Sequence, residues 1–349
     1  MATPSAAIVS FRLGGFDGVA VEARKWAGAL ETLGFDIRTV AGEGPVDRVV
    51  PGLAIGAVDA PSAAEVSDAL DDADLVVVEN LCSLPLNAPA ASVVAEVIAN
   101  RRAVLHHHDL PWQRDQYIGY PPPPDDPAWA HVTVNERSRL ELARVGIAAT
   151  VVRNAFDVDA PAGERERTRR ALGLDDDTRL VLQPTRAIAR KNVAGGLALA
   201  ESVGAVFWLL GPAEDGFGPE LERLLAGARS PYLVGPVAPG FAGHVVDAYA
   251  ACDVVVLGSF WEGFGNPAVE SAVYRRPLAI GPYPVAAELA AFGFRWFAHD
   301  DGESVGRFLE RPDPTLIEHN HSVARTHFAL GDLPGRISRV FESAGWVFG

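Results

Sequence analysis

Two carboxylates, Glu262 and Glu270, stand eight residues apart across Gly263-Phe264-Gly265-Asn266-Pro267. Carboxylates accept hydrogen bonds from hydroxyls, and glycines let a backbone approach a ligand closely. Asn is a favoured helix cap, and Pro is favoured at the first helical position. The spacing therefore predicts a loop carrying Glu262, then a helix with Glu270 about one turn inside it. The N-terminus of such a helix offers unpaired N–H groups and a partial positive charge, which suit phosphate. Together these features fit a ligand with both hydroxyls and phosphate, such as a nucleotide sugar.

Arg186 and Lys191 form a second constellation, in Gln183-Pro184-Thr185-Arg186-Ala187-Ile188-Ala189-Arg190-Lys191-Asn192. Lys25 and Lys191 are the only lysines in a chain with 30 basic residues. A Lys kept beside Arg suggests a compact charge that a planar guanidinium does not replace. Arg186 falls just past a strand end. Lys191 is expected to open the next helix, where a base opposes the helix dipole.

Gly14 and Gly15 lie between the first strand and the first helix, a common place for phosphate loops. In His106-His107-His108-Asp109 the alternation of a strand puts His106 and His108 on one face. Three sequential histidines on one strand chelate a single metal poorly, so no metal site is expected there. The segment Trp112 to Pro124, with Arg114, Gln116, Tyr117, Tyr120 and a proline run, is a stiffened loop suited to shaping a pocket. Asp175-Asp176-Asp177 reads as a solvated stretch.

Short apolar runs position these groups. Ala7–Phe11, Asp36–Val40, Asp74–Val78, Ala103–Leu105 and His131–Val134 alternate with helical patterns. One helix is expected from about Val19 to Leu33, closed by Gly34. After Val151–Asp157 and a polar Arg/Glu-rich stretch from Gly163 to Arg170, a second series begins. Its strands are Arg179–Gln183, Ala205–Leu210, Tyr232–Val234, Asp253–Leu257 and Leu278–Ile280. Strands alternating with helices imply parallel sheets with right-handed crossovers. The expected class is α/β, with two Rossmann-like domains facing a cleft and a boundary near 154–162.

The 349 residues carry a net charge of −15, which argues against nucleic acid or an anionic membrane as a partner. Apolar runs are too short to span a bilayer, and the N-terminus lacks the basic region of a signal peptide. Cys82 and Cys252 form no CxxC pair, so neither a disulfide framework nor a zinc site is expected. A cytoplasmic enzyme fits, and the abundance of Ala, Gly, Pro and Arg fits a GC-rich bacterial genome.

The Glu262–Glu270 block is similar to the E-x7-E signature of retaining GT-B glycosyltransferases, in particular glycosyltransferase family four. The resemblance runs in order through the Gly-Gly turn, the His-Asp pair, Asn154, the Arg/Lys pair and E-x7-E. It implies a GT-B fold with an acceptor-binding domain over 1–155 and a nucleotide-sugar domain over 160–333. A helix within 334–349 would cross back to the N-terminal domain. It implies that Glu262 contacts sugar hydroxyls and Glu270 the ribose, with Gly263, Phe264 and Gly265 on sugar and diphosphate. Arg186 and Lys191 would stabilise the leaving diphosphate, Gly15 would approach the donor phosphate, and His108 would lie near the reacting sugar, with His107 as runner-up. Base contacts would fall near Val237. The implied reaction moves a hexose from a UDP- or GDP-linked donor to a small-molecule, lipid or glycan hydroxyl. Retention of configuration is implied, with no metal and no cofactor. A sugar-nucleotide 2-epimerase of the same fold and a non-catalytic nucleotide-sugar binder are the alternatives.

Overall fold

The computed structural model describes residues 3–15, 17–236 and 245–348. The chain divides into two units, one of residues 1–155 with 330–349, the other of residues 156–329.

The first unit is built on seven parallel strands: β1 (Ser5–Arg12), β2 (Asp36–Glu43), β3 (Arg48–Val49), β4 (Leu75–Glu79), β5 (Ala103–His107), β6 (Trp129–Thr133) and β7 (Ala149–Val151). Their order is β3-β2-β1-β4-β5-β6-β7. The central strands are apolar on both faces because helices cover both faces. Alternate residues divide between two cores. Ile8, Val77, Val104 and Val132 face Trp26 and Leu30 of the helix Gly18–Thr32. Val9, Val78 and Leu105 face Val66, Leu70, Val94 and Ile98.

The first of these cores also holds Leu333, Ile337, Val340 and Phe341 of the helix Leu333–Ser343. Apolar burial of side chains this size stabilises by about 2 kcal/mol each, which is reason enough for the chain's last segment to join the N-terminal unit.

The second unit has six parallel strands: β8 (Leu180–Gln183), β9 (Val206–Leu209), β10 (Tyr232–Val234), β11 (Val254–Leu257), β12 (Leu278–Ile280) and β13 (Phe297–Ala298), ordered β10-β9-β8-β11-β12-β13. The Arg/Glu-rich stretch after Gly163 is a helix, Arg165–Ala171, and its arginines support the sheet. Arg165 Nη1 donates to the carbonyls of Ala250, Ala251 and Cys252, closing the C-terminus of the helix Val245–Ala251. Arg165 Nη2 donates to Asp253 at 2.6 Å, and Asp253 accepts from the Leu180 N–H at 2.8 Å. Asp253 thereby ties the start of β11 to the start of β8.

Chain order reverses between β1 and β4 in one sheet and between β8 and β11 in the other. In open α/β sheets such switch points, at the carboxyl ends of the strands, are where ligands bind. No helix among the described residues is long and apolar enough to cross a membrane.

Candidate active site

In the second unit the loops that leave β8 and β11 flank the switch point, and they carry Arg186, Lys191 and Glu262 to Gly265. Lys191 does not open a helix. It ends a 3-10 turn, Ala189–Lys191, and Asn192 caps the helix Val193–Ser202 from a left-handed φ of 50°. Asn192 also donates to the Gly258 carbonyl at 3.1 Å, joining the two loops.

Lys191 and Glu262 are directly paired. Lys191 Nζ donates to both carboxylate oxygens, at 2.5 and 2.7 Å. Ser259 Oγ donates to Glu262 Oε1 at 2.5 Å, and Arg190 Nη1 to Oε2 at 3.2 Å. A carboxylate has about four acceptor positions, and the protein occupies all four. Glu262, 5% exposed, is thus held as part of a cationic assembly, and its carboxylate is not an open acceptor for sugar hydroxyls. Burial raises its pKa, but the Lys191 and Arg190 charges and the hydrogen bonds outweigh this and leave the carboxyl below its ordinary value. An ammonium has three protons, and the two contacts to Glu262 account for two of those on Lys191. Arg190 and Ser259 escaped the sequence reading; the clue to Arg190 was its place beside Lys191.

Arg186 is one-third exposed and pairs with Glu214 at 2.5 Å. Glu214 was not singled out from sequence.

The helix after Gly265 runs Asn266–Val273. Its cap is Gly265 rather than Asn266, and Pro267 is the second helical residue. Gly265 takes φ 89°, and a Cβ there would lie 2.2 Å from the Tyr283 hydroxyl oxygen. That hydroxyl donates to the Phe264 carbonyl at 3.3 Å. Phe264 is buried against Phe156 and Phe328. The loop's glycine is thus required by backbone geometry and by crowding together.

Glu270 accepts a 2.7 Å hydrogen bond from Tyr249 Oη. Burial, followed by the Glu270 charge, pushes the Tyr249 phenol well above its ordinary pKa, so it remains a neutral donor. Its sequence signal was slight: one hydroxylated aromatic within the apolar run Ala248 to Ala251. Val237 lies outside the described residues.

In the first unit, Gly15 lies in the loop after β1, and its carbonyl accepts from Arg24. The helix that follows is already capped. Asp17 accepts from the N–H groups of Val19 and Ala20, both at 3.2 Å, and pairs with Arg12. Phosphate there would compete with this carboxylate.

His108 follows β5, and its Nε2 hydrogen bonds to Glu79 Oε2 at 2.7 Å. His106, on the same face, reaches Glu79 through Nδ1 at 3.0 Å. The donor atoms of Glu79, His106 and His108 lie within 4.8 Å of one another. The sequence argument against a metal weighed the histidines alone. Glu79, in register with His106 on the neighbouring strand, changes that geometry, and these atoms are engaged in hydrogen bonds to each other. An acid ending the apolar run Leu75–Val78 was the signal for Glu79.

His107 points to the opposite face and is spent in a chain. It meets Ser83 Oγ through Nδ1 (2.5 Å) and His131 Nδ1 through Nε2 (2.9 Å), and His131 Nε2 meets Asp125 (3.1 Å). If Asp125 accepts, each neutral imidazole donates toward it in turn, and Ser83 donates to His107. Burial lowers both histidine pKa values, consistent with neutral rings. His107 therefore bridges β5 and β6 and is not placed as an alternative to His108.

The loop after His108 is pinned through Trp112 Nε1 and Gln113 Nε2 to Glu141, at 3.0 and 2.7 Å. Ile118 and Tyr120 remain exposed.

The two parallel-sheet, Rossmann-like units define a GT-B fold, the architecture of a large class of glycosyltransferases. No protein-family model matches the chain. It is similar to mannosylglucosylglycerate synthase of Thermotoga maritima, with 26% identity over 95% of this chain and 98% of the relative. The same-named protein of Petrotoga mobilis is 24% identical over 64% of this chain and 63% of the relative. Among solved structures, Anabaena HepE in complex with UDP-glucose superposes with a TM-score of 0.69 at 18% identity, covering 97% and 99% of the two chains. WaaG, a glycosyltransferase of lipopolysaccharide biosynthesis, gives 0.67 at 14% identity, over 96% and 99%.

Proposed function

We propose that this protein is a retaining, metal-independent glycosyltransferase resembling family four, moving a hexose from a UDP- or GDP-linked donor to a hydroxyl acceptor. The observation that carries the reading is the Lys191–Glu262 assembly beside the Asn266–Val273 helix, at the switch point of the second sheet. Departure of the diphosphate is the costly event. Arg186, the remaining Lys191 proton and the helix N-terminus would meet the charge that develops on it. A preorganised donor of this kind contributes about 3 kcal/mol to lowering a barrier. Glu270, steadied by Tyr249, is assigned to the ribose, and Gly263 to Gly265 to sugar and diphosphate.

Glu262 serves chiefly to hold Lys191 and Arg190 in place, and no acid is assigned as nucleophile. His108 and Gly15 are the candidate residues within the first unit. The names of the two synthases support glycosyl transfer and favour a sugar-containing hydroxyl acceptor. An epimerase would need a proton-abstracting carboxylate, and Glu262 is committed to its cations.

A thermal-shift screen with UDP, GDP and ADP, followed by donor turnover with the product anomer read by NMR, tests this. A nucleotide at 100 times its Kd should stabilise by about 2.7 kcal/mol. Absence of any nucleotide stabilisation and of donor consumption sinks the proposal. Epimer formation would establish the alternative instead.

A further inference from the structure

Within the second unit, the loop that leaves β9 is zipped onto the loop that leaves β8, past the ends of both strands. The Leu210 and Gly211 N–H groups donate to the carbonyls of Gln183 and Thr185, each at 3.1 Å. The Ala187 N–H donates to the Pro212 carbonyl at 2.8 Å, and the Glu214 N–H returns to the Ala187 carbonyl at 3.1 Å. Ala187 and Ala213 form a parallel bridge. The two backbones also press together. A Cβ on Gly211 would lie 2.7 Å from the Thr185 carbonyl oxygen and 2.8 Å from Arg186 Cα. Beyond Glu214 the chain turns through two consecutive left-handed residues, Asp215 at φ 53° and Gly216 at φ 76°. The Glu214 backbone is thus anchored to the residue that follows Arg186.

The contact between the two side chains uses one corner of the guanidinium. Arg186 Nη1 donates to Glu214 Oε2 at 2.5 Å. Nε and Nη2 of Arg186 have no protein partner among the described residues, and the side chain is one-third exposed. A guanidinium presents a planar fork that matches two phosphate oxygens. The Nε–Nη2 edge is such a fork, and the contact with Glu214 leaves it available. An ion pair this exposed contributes little to stability; its effect is on what Arg186 can bind.

The charge balance supplies the second part. Burial lowers the Lys191 pKa, Glu262 opposes this, and the Arg190 and Arg186 charges add to the lowering, so Arg186 acts on the same locality as Lys191. Arg186, Arg190 and Lys191 are set against Glu262 and Glu214, which leaves one positive charge uncompensated among these five groups. The diphosphate of an intact nucleotide sugar carries about two negative charges. The free nucleoside diphosphate carries nearly three at neutral pH, because its terminal phosphate ionises a second time. A carboxylate fixed beside the diphosphate repels the product more than the donor.

We propose that Glu214 is a positioning and specificity-determining residue: it holds Arg186 by Nη1 so that the Nε–Nη2 edge meets the donor's diphosphate, and its charge weakens free nucleoside diphosphate relative to intact nucleotide sugar. The ligand's identity rests on the glycosyltransferase reading. Product release, which limits many enzymes, is thereby eased while the guanidinium stays in place.

Isothermal titration of the full chain with UDP and UDP-glucose, and with GDP and GDP-mannose, tests this in the wild type, Glu214→Gln and Glu214→Ala. Glu214→Gln keeps an acceptor for Nη1 and removes the charge. The ratio of the two dissociation constants should move by about threefold in favour of the free nucleotide, the effect of one unit charge about 6 Å away in water. That shift should fade in high salt, as a screened charge requires. Glu214→Ala removes the same charge but leaves the guanidinium unheld. It should bind both ligands about fivefold more weakly than Glu214→Gln, because Arg186 must then be ordered on binding. Under turnover, added nucleoside diphosphate should inhibit Glu214→Gln more strongly than the wild type, with KM for the donor changing less.

Equal changes for free and sugar-linked diphosphate in Glu214→Gln overturn the charge role. Affinities in Glu214→Ala equal to or tighter than those in Glu214→Gln overturn the positioning role and make Glu214 a competitor that the ligand displaces. If neither nucleotide nor nucleotide sugar binds the wild type, the glycosyltransferase reading fails and this proposal with it. Binding with unmoved ratios in both variants leaves that reading standing and overturns this proposal alone.

Discussion

Lys191 Nζ donates to both carboxylate oxygens of Glu262, at 2.5 and 2.7 Å, across 71 residues of sequence. Lys191 is 8% exposed and Glu262 5%. Breaking such a buried pair from one side leaves an uncompensated charge and costs about 3–5 kcal/mol. Lys191→Ala and Glu262→Ala should each destabilise the protein on that scale, and the double variant should be markedly less unstable than the sum. A denaturation cycle measures the coupling, expected at about 1–3 kcal/mol. Strictly additive losses would show two independent side chains.

The pairing also changes what is expected of Glu262 in binding. As a sugar contact alone, Glu262→Ala would leave affinity for free nucleoside diphosphate untouched. As the anchor of Lys191 and Arg190, it should weaken that affinity along with use of the intact donor. Isothermal titration with UDP or GDP distinguishes the two, and wild-type nucleotide affinity in Glu262→Ala would return it to the sugar.

Tyr249→Phe removes the 2.7 Å hydrogen bond to Glu270 and little else. A net hydrogen bond to a charged group contributes about 1.5–3 kcal/mol. Loss of part of this through Glu270 should weaken nucleoside diphosphate binding about tenfold, in the same direction as Glu270→Ala. Unaltered binding in both variants would remove Glu270 from the ribose.

Turnover should survive EDTA, because the cationic groups proposed to meet the diphosphate are Arg186 and Lys191. Complete loss on chelation, restored by manganese or magnesium, would transfer that role to a metal.

Glu79 titrates lower in the fold, at about 2, than its ordinary 4.5. A depressed carboxylate contributes stability that is fully present above the unfolded value and is lost as pH falls toward the folded one. Thermal unfolding followed from pH 6 to pH 2 should show a decline below about 4.5 that is shallower in Glu79→Gln. Parallel curves would mean that another carboxylate sets acid stability.

Burial pushes the thiols of Cys82 and Cys252 up to about 12. At pH 8 only about one molecule in ten thousand carries either thiolate, the reactive form. Iodoacetamide should label neither cysteine in the native protein within minutes and both in denaturant. Rapid native labelling, read by mass spectrometry, would place that thiol at a mobile or exposed position.

Local sequence determined much of the architecture. Runs such as Leu75–Val78 and Val254–Leu257 are apolar at every position because both faces of a parallel strand are covered, and that is visible without coordinates. Gly265-Asn266-Pro267 announced a helix start, although which residue caps it depended on Tyr283, 18 residues further on. The residue types of the candidate site in the second unit, two acids, a rare lysine and an arginine, stand out in the sequence, since chemistry is written in side-chain identity. Partnership was decided by the tertiary structure alone. Whether Lys191 reaches Glu262, whether Tyr249 steadies Glu270, and whether Glu79 takes hold of His108 depend on which strands are neighbours and in what register. Those contacts arise from packing between segments tens of residues apart, and no local spacing encodes them.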